Sequence, residues 1–132
     1  MKKSLLVAAA SVLALVACSS NGEGGKNADP SNPVVSVAGG KITVAPEPLQ
    51  FAKDKHNVKI TWQLPAGTPY TFPKDGIVIG DGGDEFPDCH PEQNGQRFAC
   101  MNKHNKPGKY KYTIKVDGSP AVPPLDPIVI NE

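Results

Sequence analysis

Val58-Lys-Ile-Thr-Trp-Gln-Leu64 alternates large apolar and polar residues without a break. Val58, Ile60, Trp62 and Leu64 share one side, and Lys59, Thr61 and Gln63 share the other. A period of two is that of a β-strand with one buried face. Tyr110, Tyr112, Ile114 and Val116 repeat the pattern, with Lys109, Lys111, Thr113 and Lys115 facing outward. Shorter runs with the same character lie at Val34–Val37, Lys41–Val44, Gly76–Ile79, Arg97–Met101 and Ile128–Ile130. Helical periodicity is not sustained over two turns anywhere, and 14 prolines oppose long helices. About seven short strands joined by Gly- and Pro-rich turns predict an all-β, Greek-key, two-sheet sandwich, immunoglobulin-like or cupredoxin-like. Trp62 belongs at the centre of its core. Gly108-Lys-Tyr-Lys-Tyr112 reads as a late strand in which a tyrosine packs at a corner and bonds to backbone.

The N-terminus has another character. Met1-Lys-Lys precedes an apolar run from Leu5 to Val16, too short to span a hydrocarbon core and suited to a cleaved signal. The run ends in Leu15-Val-Ala-Cys18, which resembles the lipobox of a bacterial lipoprotein. That resemblance implies cleavage after Ala17 and acylation of the Cys18 thiol, so that residues 1–17 are a signal peptide. Ser19 in place of aspartate implies sorting to the outer membrane, on its periplasmic face. Residues 18–33 hold no large apolar side chain and read as a lipidated, flexible tether, leaving 34–132 as the domain. A coil of ~15 residues reaches ~20 Å.

The 14 basic and 13 acidic residues nearly balance, and loss of Lys2 and Lys3 leaves the chain close to neutral. Nothing in that balance points to nucleic acid. The charge is nevertheless segregated. Asp75, Asp81, Asp84, Glu85, Asp88 and Glu92 form an acidic stretch, and Arg97, Lys103, Lys106, Lys109, Lys111 and Lys115 a basic one. Either Asp81, Asp84, Glu85 and Asp88 present a surface to a partner, or the two stretches are solvated neighbours that pair weakly.

With Cys18 acylated, Cys89 and Cys100 remain as an even pair, which in an oxidising compartment forms a disulfide. The competing reading is a metal site, because thiolate, thioether and imidazole suit copper. Cys89-His90, Cys100-Met101 and His104 supply all three. Blue-copper proteins, however, carry their ligand cysteine, histidine and methionine after the late Tyr-containing strand. Here these residues precede Gly108, and only His56 stands upstream. A copper- or metal-handling role using His90, Met101 and His104 is therefore the alternative, with no metal or cofactor expected. The Asp81–Asp88 acids lack EF-hand spacing. There is no nucleophile elbow, His-Glu-x-x-His or phosphate loop, so no enzymatic role is expected.

Lys59–Leu64, Phe72–Ile79, Phe98–Cys100, Pro107–Val116 and Leu125–Asn131 are together similar to small proteobacterial envelope proteins with immunoglobulin-like or cupredoxin-like domains. The expected function is a lipid-anchored, non-enzymatic protein-binding or structural module of the cell envelope. It would be tethered to the membrane by its lipid and would meet an envelope protein as partner. Metal handling, and inhibition of an envelope-attacking hydrolase, are the alternatives.

Overall fold

The structure is a computed structural model and describes residues 29–132. The segments expected to be a signal peptide and most of a tether, with Cys18, lie outside the described residues. Nine strands form among those described: β1 (Val34–Ala38), β2 (Lys41–Ala45), β3 (Leu49–Phe51), β4 (Val58–Gln63), β5 (Ile77–Ile79), β6 (His90–Glu92), β7 (Arg97–Asn102), β8 (Gly108–Ile114) and β9 (Ile128–Asn131). They make a five-stranded sheet in the order β2-β1-β4-β7-β6 and a four-stranded sheet in the order β3-β9-β8-β5. The sandwich expected from the alternation is present.

The pairing is mixed. β1 runs parallel to β4 and β3 parallel to β9, and the other pairs are antiparallel. Two parallel pairs depart from the immunoglobulin arrangement, whose sheets are antiparallel. The chain changes sheets at Ala45-Pro-Glu-Pro48, so β2 ends in one sheet and β3 begins in the other. Pro46, directly after Ala45, has no N–H to donate and ends β2. The two extra strands, β3 and β6, have three residues each, too few to display a period of two. β6 also contains Pro91, tolerable there because β6 is an edge strand.

Pairing with β4 extends further upstream than expected. Gln63 N–H donates to Pro33 O (3.0 Å) and Thr61 N–H to Ser31 O (2.9 Å), so this stretch pairs with β4 although it lacks large apolar side chains. The Asp29 carboxylate accepts from the Ser31 N–H and hydroxyl and from the Asn32 amide. The Ser31 and Asn32 donors hold its carboxyl below the usual carboxylate range. Residues 29–33, expected within the tether, therefore pair with the domain.

Both sheets bury one face. Ile60 and Trp62 of β4, Phe98 and Cys100 of β7, Tyr110, Tyr112 and Ile114 of β8, and Val129 of β9 fill the space between them. Trp62 is fully buried at the centre, as expected. Two polar links cross that core. Trp62 Nε1–H donates to the Tyr112 hydroxyl at 3.2 Å, joining β4 to β8. Asn102 of β7 and Asn131 of β9, both almost fully buried, exchange amide hydrogen bonds of 2.9 and 3.0 Å. The corner tyrosine is Tyr110, whose hydroxyl donates to Lys106 O at 2.8 Å.

Burial pushes the Tyr112 phenol far above its ordinary range, with the Trp62 hydrogen bond opposing. The unfolded chain then releases this proton near its ordinary value of 10.0 while the folded chain retains it. Stability should be unaffected by this group below that pH and fall as pH rises past it. Urea titrations of the wild type should show this alkaline loss, and Tyr112→Phe should reduce its slope. The same variant should cost about 1–3 kcal/mol at neutral pH, because Trp62 Nε1–H is left without its acceptor.

Candidate functional site

The candidate site lies where β6 meets β7. Their register pairs His90 with Ala99 and Glu92 with Arg97. One step back, Cys89 faces Cys100, and the two form a disulfide with Cα atoms 4.1 Å apart. The expected pairing is thus present. A crosslink closing so short a loop removes about 3 kcal/mol of unfolded-chain entropy. Alternation along β7 then sorts its side chains. Phe98, Cys100 and Asn102 point inward, while Arg97, Ala99 and Met101 share the other face, Ala99 buried there.

The outward set edges a surface groove of about 400 Å³, bordered by Lys59, Asp88, Cys89, His90, Ala99, Cys100 and Met101. Its rim is charged. Lys59 Nζ lies 3.1 Å from Glu92 Oε2. His90 Nδ1 lies 2.9 Å from Asp88 O, and its Nε2 lies 3.2 Å from the same Glu92 oxygen. The hydrogen bond from Lys59 holds the Glu92 carboxyl below the usual carboxylate range, and His90 adds a smaller effect in the same direction. These groups are solvent-exposed, so their pairing orients side chains more than it stabilises the fold. A second groove of about 380 Å³ lies between Asp29–Ser31 and Gln50–Ala52.

The four acids expected to form a partner surface do not act together. Asp81, Asp84 and Asp88 are exposed, but Glu85 is only 4% exposed. Its Oε2 accepts the backbone N–H groups of Asn105 (2.8 Å) and Lys106 (2.9 Å), and its backbone oxygen accepts that of Lys103 (2.9 Å). Glu85 therefore holds the turn between β7 and β8 and is withdrawn from the exposed set. The acidic and basic stretches are neighbours, joined through backbone. Among the described residues the ion pairs are Lys59–Glu92, His90–Glu92 and Lys115–Asp75.

The alternative metal trio does not assemble. His104 is buried, with Nδ1 2.6 Å from Lys55 O and Nε2 2.7 Å from Glu132 O. Each ring nitrogen thus faces a backbone oxygen at hydrogen-bond distance, so both are engaged within the fold. His104 instead ties the β3–β4 loop to the end of β9, and His56 Nδ1 approaches its backbone oxygen at 3.0 Å. Met101 and Cys100 point to opposite faces of β7. Among the described residues no three His, Cys, Asp or Glu side chains are grouped to hold a metal ion.

No protein-family model matches the chain, and no curated protein matches it. The structural polar residues Asn102, Asn131, Glu85 and His104 were not singled out for those roles by sequence reasoning. Parity points to two of them, since Asn102 continues the inward series Phe98, Cys100 and Asn131 follows the inward Val129.

Glu85→Gln should lower stability by about 1.5–3 kcal/mol, the range for hydrogen bonds to a charged group. Asp84→Asn, on an exposed neighbour, should stay within about 0.5 kcal/mol of wild type. Urea unfolding of the two variants checks the contrast.

Proposed function

We propose that the chain is a lipid-anchored protein of the cell envelope whose sandwich is a non-enzymatic protein-binding module. The contact surface is the groove over the Cys89–Cys100 edge. The observation that supports this most directly is the groove's construction. Its backbone belongs to β7, paired on both sides, and to an edge strand crosslinked at Cys89. A surface fixed before contact loses less conformational freedom on binding. Its apolar floor at Ala99 and Met101 sits inside a rim of both charges, Lys59, His90, Asp88 and Glu92. That composition, apolar within and polar at the edge, is what protein interfaces use. The lipobox-like Leu15–Cys18 and the polar segment after it supply the anchor and tether in this reading.

Two measurements bear on it. Cys18→Ser should shift the protein from the membrane fraction to the soluble fraction, and an unchanged distribution contradicts the anchor. A photo-crosslinking residue at Met101 should capture one discrete envelope protein in cells. The same residue at Thr113, on the four-stranded sheet, should not. Equal capture from both positions, or turnover of a substrate by the purified protein, contradicts the binding role.

A further inference from the structure

We propose that β2 is a self-association edge, through which two copies of this chain join their five-stranded sheets about a two-fold axis. The edge strands are β2 and β6 in one sheet and β3 and β5 in the other. A bare edge presents unpaired N–H and C=O groups to any other strand, and natural sheets blunt it with short strands, proline or charge. β3, β5 and β6 have three residues each, whereas β2 has five. The preceding turn fixes which of its groups are open. Gly39 and Gly40 have φ of 60° and 76°, as a two-residue hairpin turn of the primed type requires. Ala38 and Lys41 flank that turn as a hydrogen-bonded pair, and the antiparallel ladder repeats the bonding at Ser36–Thr43 and Val34–Ala45. Ile42 and Val44 therefore turn their N–H and C=O groups away from β1. Among the described residues no backbone group pairs with them there.

This edge is complementary to itself. With Thr43 on the two-fold axis of an antiparallel pair, Ile42 meets Val44 of the second copy and Val44 meets its Ile42, each pair exchanging both backbone hydrogen bonds. The exposed side chains of β2 are Lys41, Thr43 and Ala45. In this register Thr43 faces Thr43 of the second copy and each Lys41 faces an Ala45, so no like charges are opposed. Val34, 43% exposed, is registered with Ala45 on the same face and extends the apolar surface beside the Lys41 stem. A head-to-tail pairing of β2 with β6 would instead build an open filament, and β6 opposes it. Met101 N–H donates to Pro87 O, so Arg97, Ala99 and Met101 turn their backbone toward β6 and engage Glu92 and His90. Within β6 only Pro91 turns its backbone to the open side, and it has no N–H. β2 on β2 therefore closes as a dimer. This edge lies at the opposite margin of the sheet from the Cys89–Cys100 groove, and the dimer does not rest on the binding role assigned there.

The test is disulfide trapping of the full chain in intact cells. Antiparallel partners of a non-hydrogen-bonded pair have Cα atoms about 4.5 Å apart, a separation that a disulfide spans. Thr43→Cys should therefore give a disulfide-linked dimer under mild oxidation, read on a non-reducing gel against the wild type, which carries no added thiol. Lys41→Cys should give none, because the two copies of residue 41 stand four residues apart along the pair, ~14 Å at ~3.4 Å per residue. Lys41→Cys combined with Ala45→Cys in one chain should restore the dimer. Adding Thr43→Lys to that double variant opposes two lysines on the axis and should abolish it. Thr113→Cys, on the other sheet, should stay monomeric. Residues 41, 43 and 45 are exposed, and urea unfolding of each variant verifies the fold. Absence of a dimer from Thr43→Cys overturns the proposal. So does a dimer formed equally from Lys41→Cys and Thr113→Cys, or one that survives Thr43→Lys. Capture of another protein at residue 43 in place of a second copy overturns it too, since a foreign strand then holds the edge.

Discussion

A buried pair of amides, Asn102 and Asn131, sets the geometry of the end of the sandwich from which the groove and its loops extend. Each side chain donates one hydrogen bond to the other across the space between the sheets. Neither is exposed, so neither has water as a substitute partner. The pair fixes the end of β7 against the end of β9, and the residues that follow inherit that position. Lys103 pairs with Glu85, His104 reaches Lys55 and Glu132, and the Glu85 carboxylate takes the N–H groups of Asn105 and Lys106. The β3–β4 loop, the β7–β8 turn and the acidic segment are thereby held at one end by buried polar contacts.

The same strand builds the candidate surface. β7 sends Phe98, Cys100 and Asn102 to the core, while Arg97 and Met101 reach the outer surface and Ala99 between them on that face is buried. Its inward side makes the disulfide and the inter-sheet amide bridge, and its outward side makes the groove floor. The separation also decides the metal question. Thioether and cysteine sulfurs lie on opposite faces of the strand, and the histidine three residues beyond Met101 has both nitrogens engaged. His90 and Glu92 pair with each other on the outer face, where Lys59 joins them.

Much of the fold was legible because it rests on side chains with a period. The alternation at residues 58–64 and 110–116 gave β4, β8 and the buried Trp62. The count of cysteines gave the disulfide, and the Tyr-containing strand gave the corner hydrogen bond. What escaped rests on backbone or on polar groups. Residues 29–33 join β4 through carbonyl oxygens, which any sequence possesses. β3 and β6 are too short to show alternation. Glu85 looks like its exposed neighbours Asp81, Asp84 and Asp88, because composition cannot tell a carboxylate that caps a turn from one that faces water. His104 looked like a ligand because an imidazole held by two carbonyls and one held by a metal have the same letter.

The groove is useful to a binding module only if this end keeps one shape. Hydrogen exchange of the Asn102 and Asn131 side-chain amide protons measures that directly. These protons should exchange only through global unfolding, at rates that respond to urea as the innermost β7 backbone amides do. Exchange through local opening, independent of urea while those backbone amides stay protected, would contradict the account, because the two sheets would then separate at this end without unfolding.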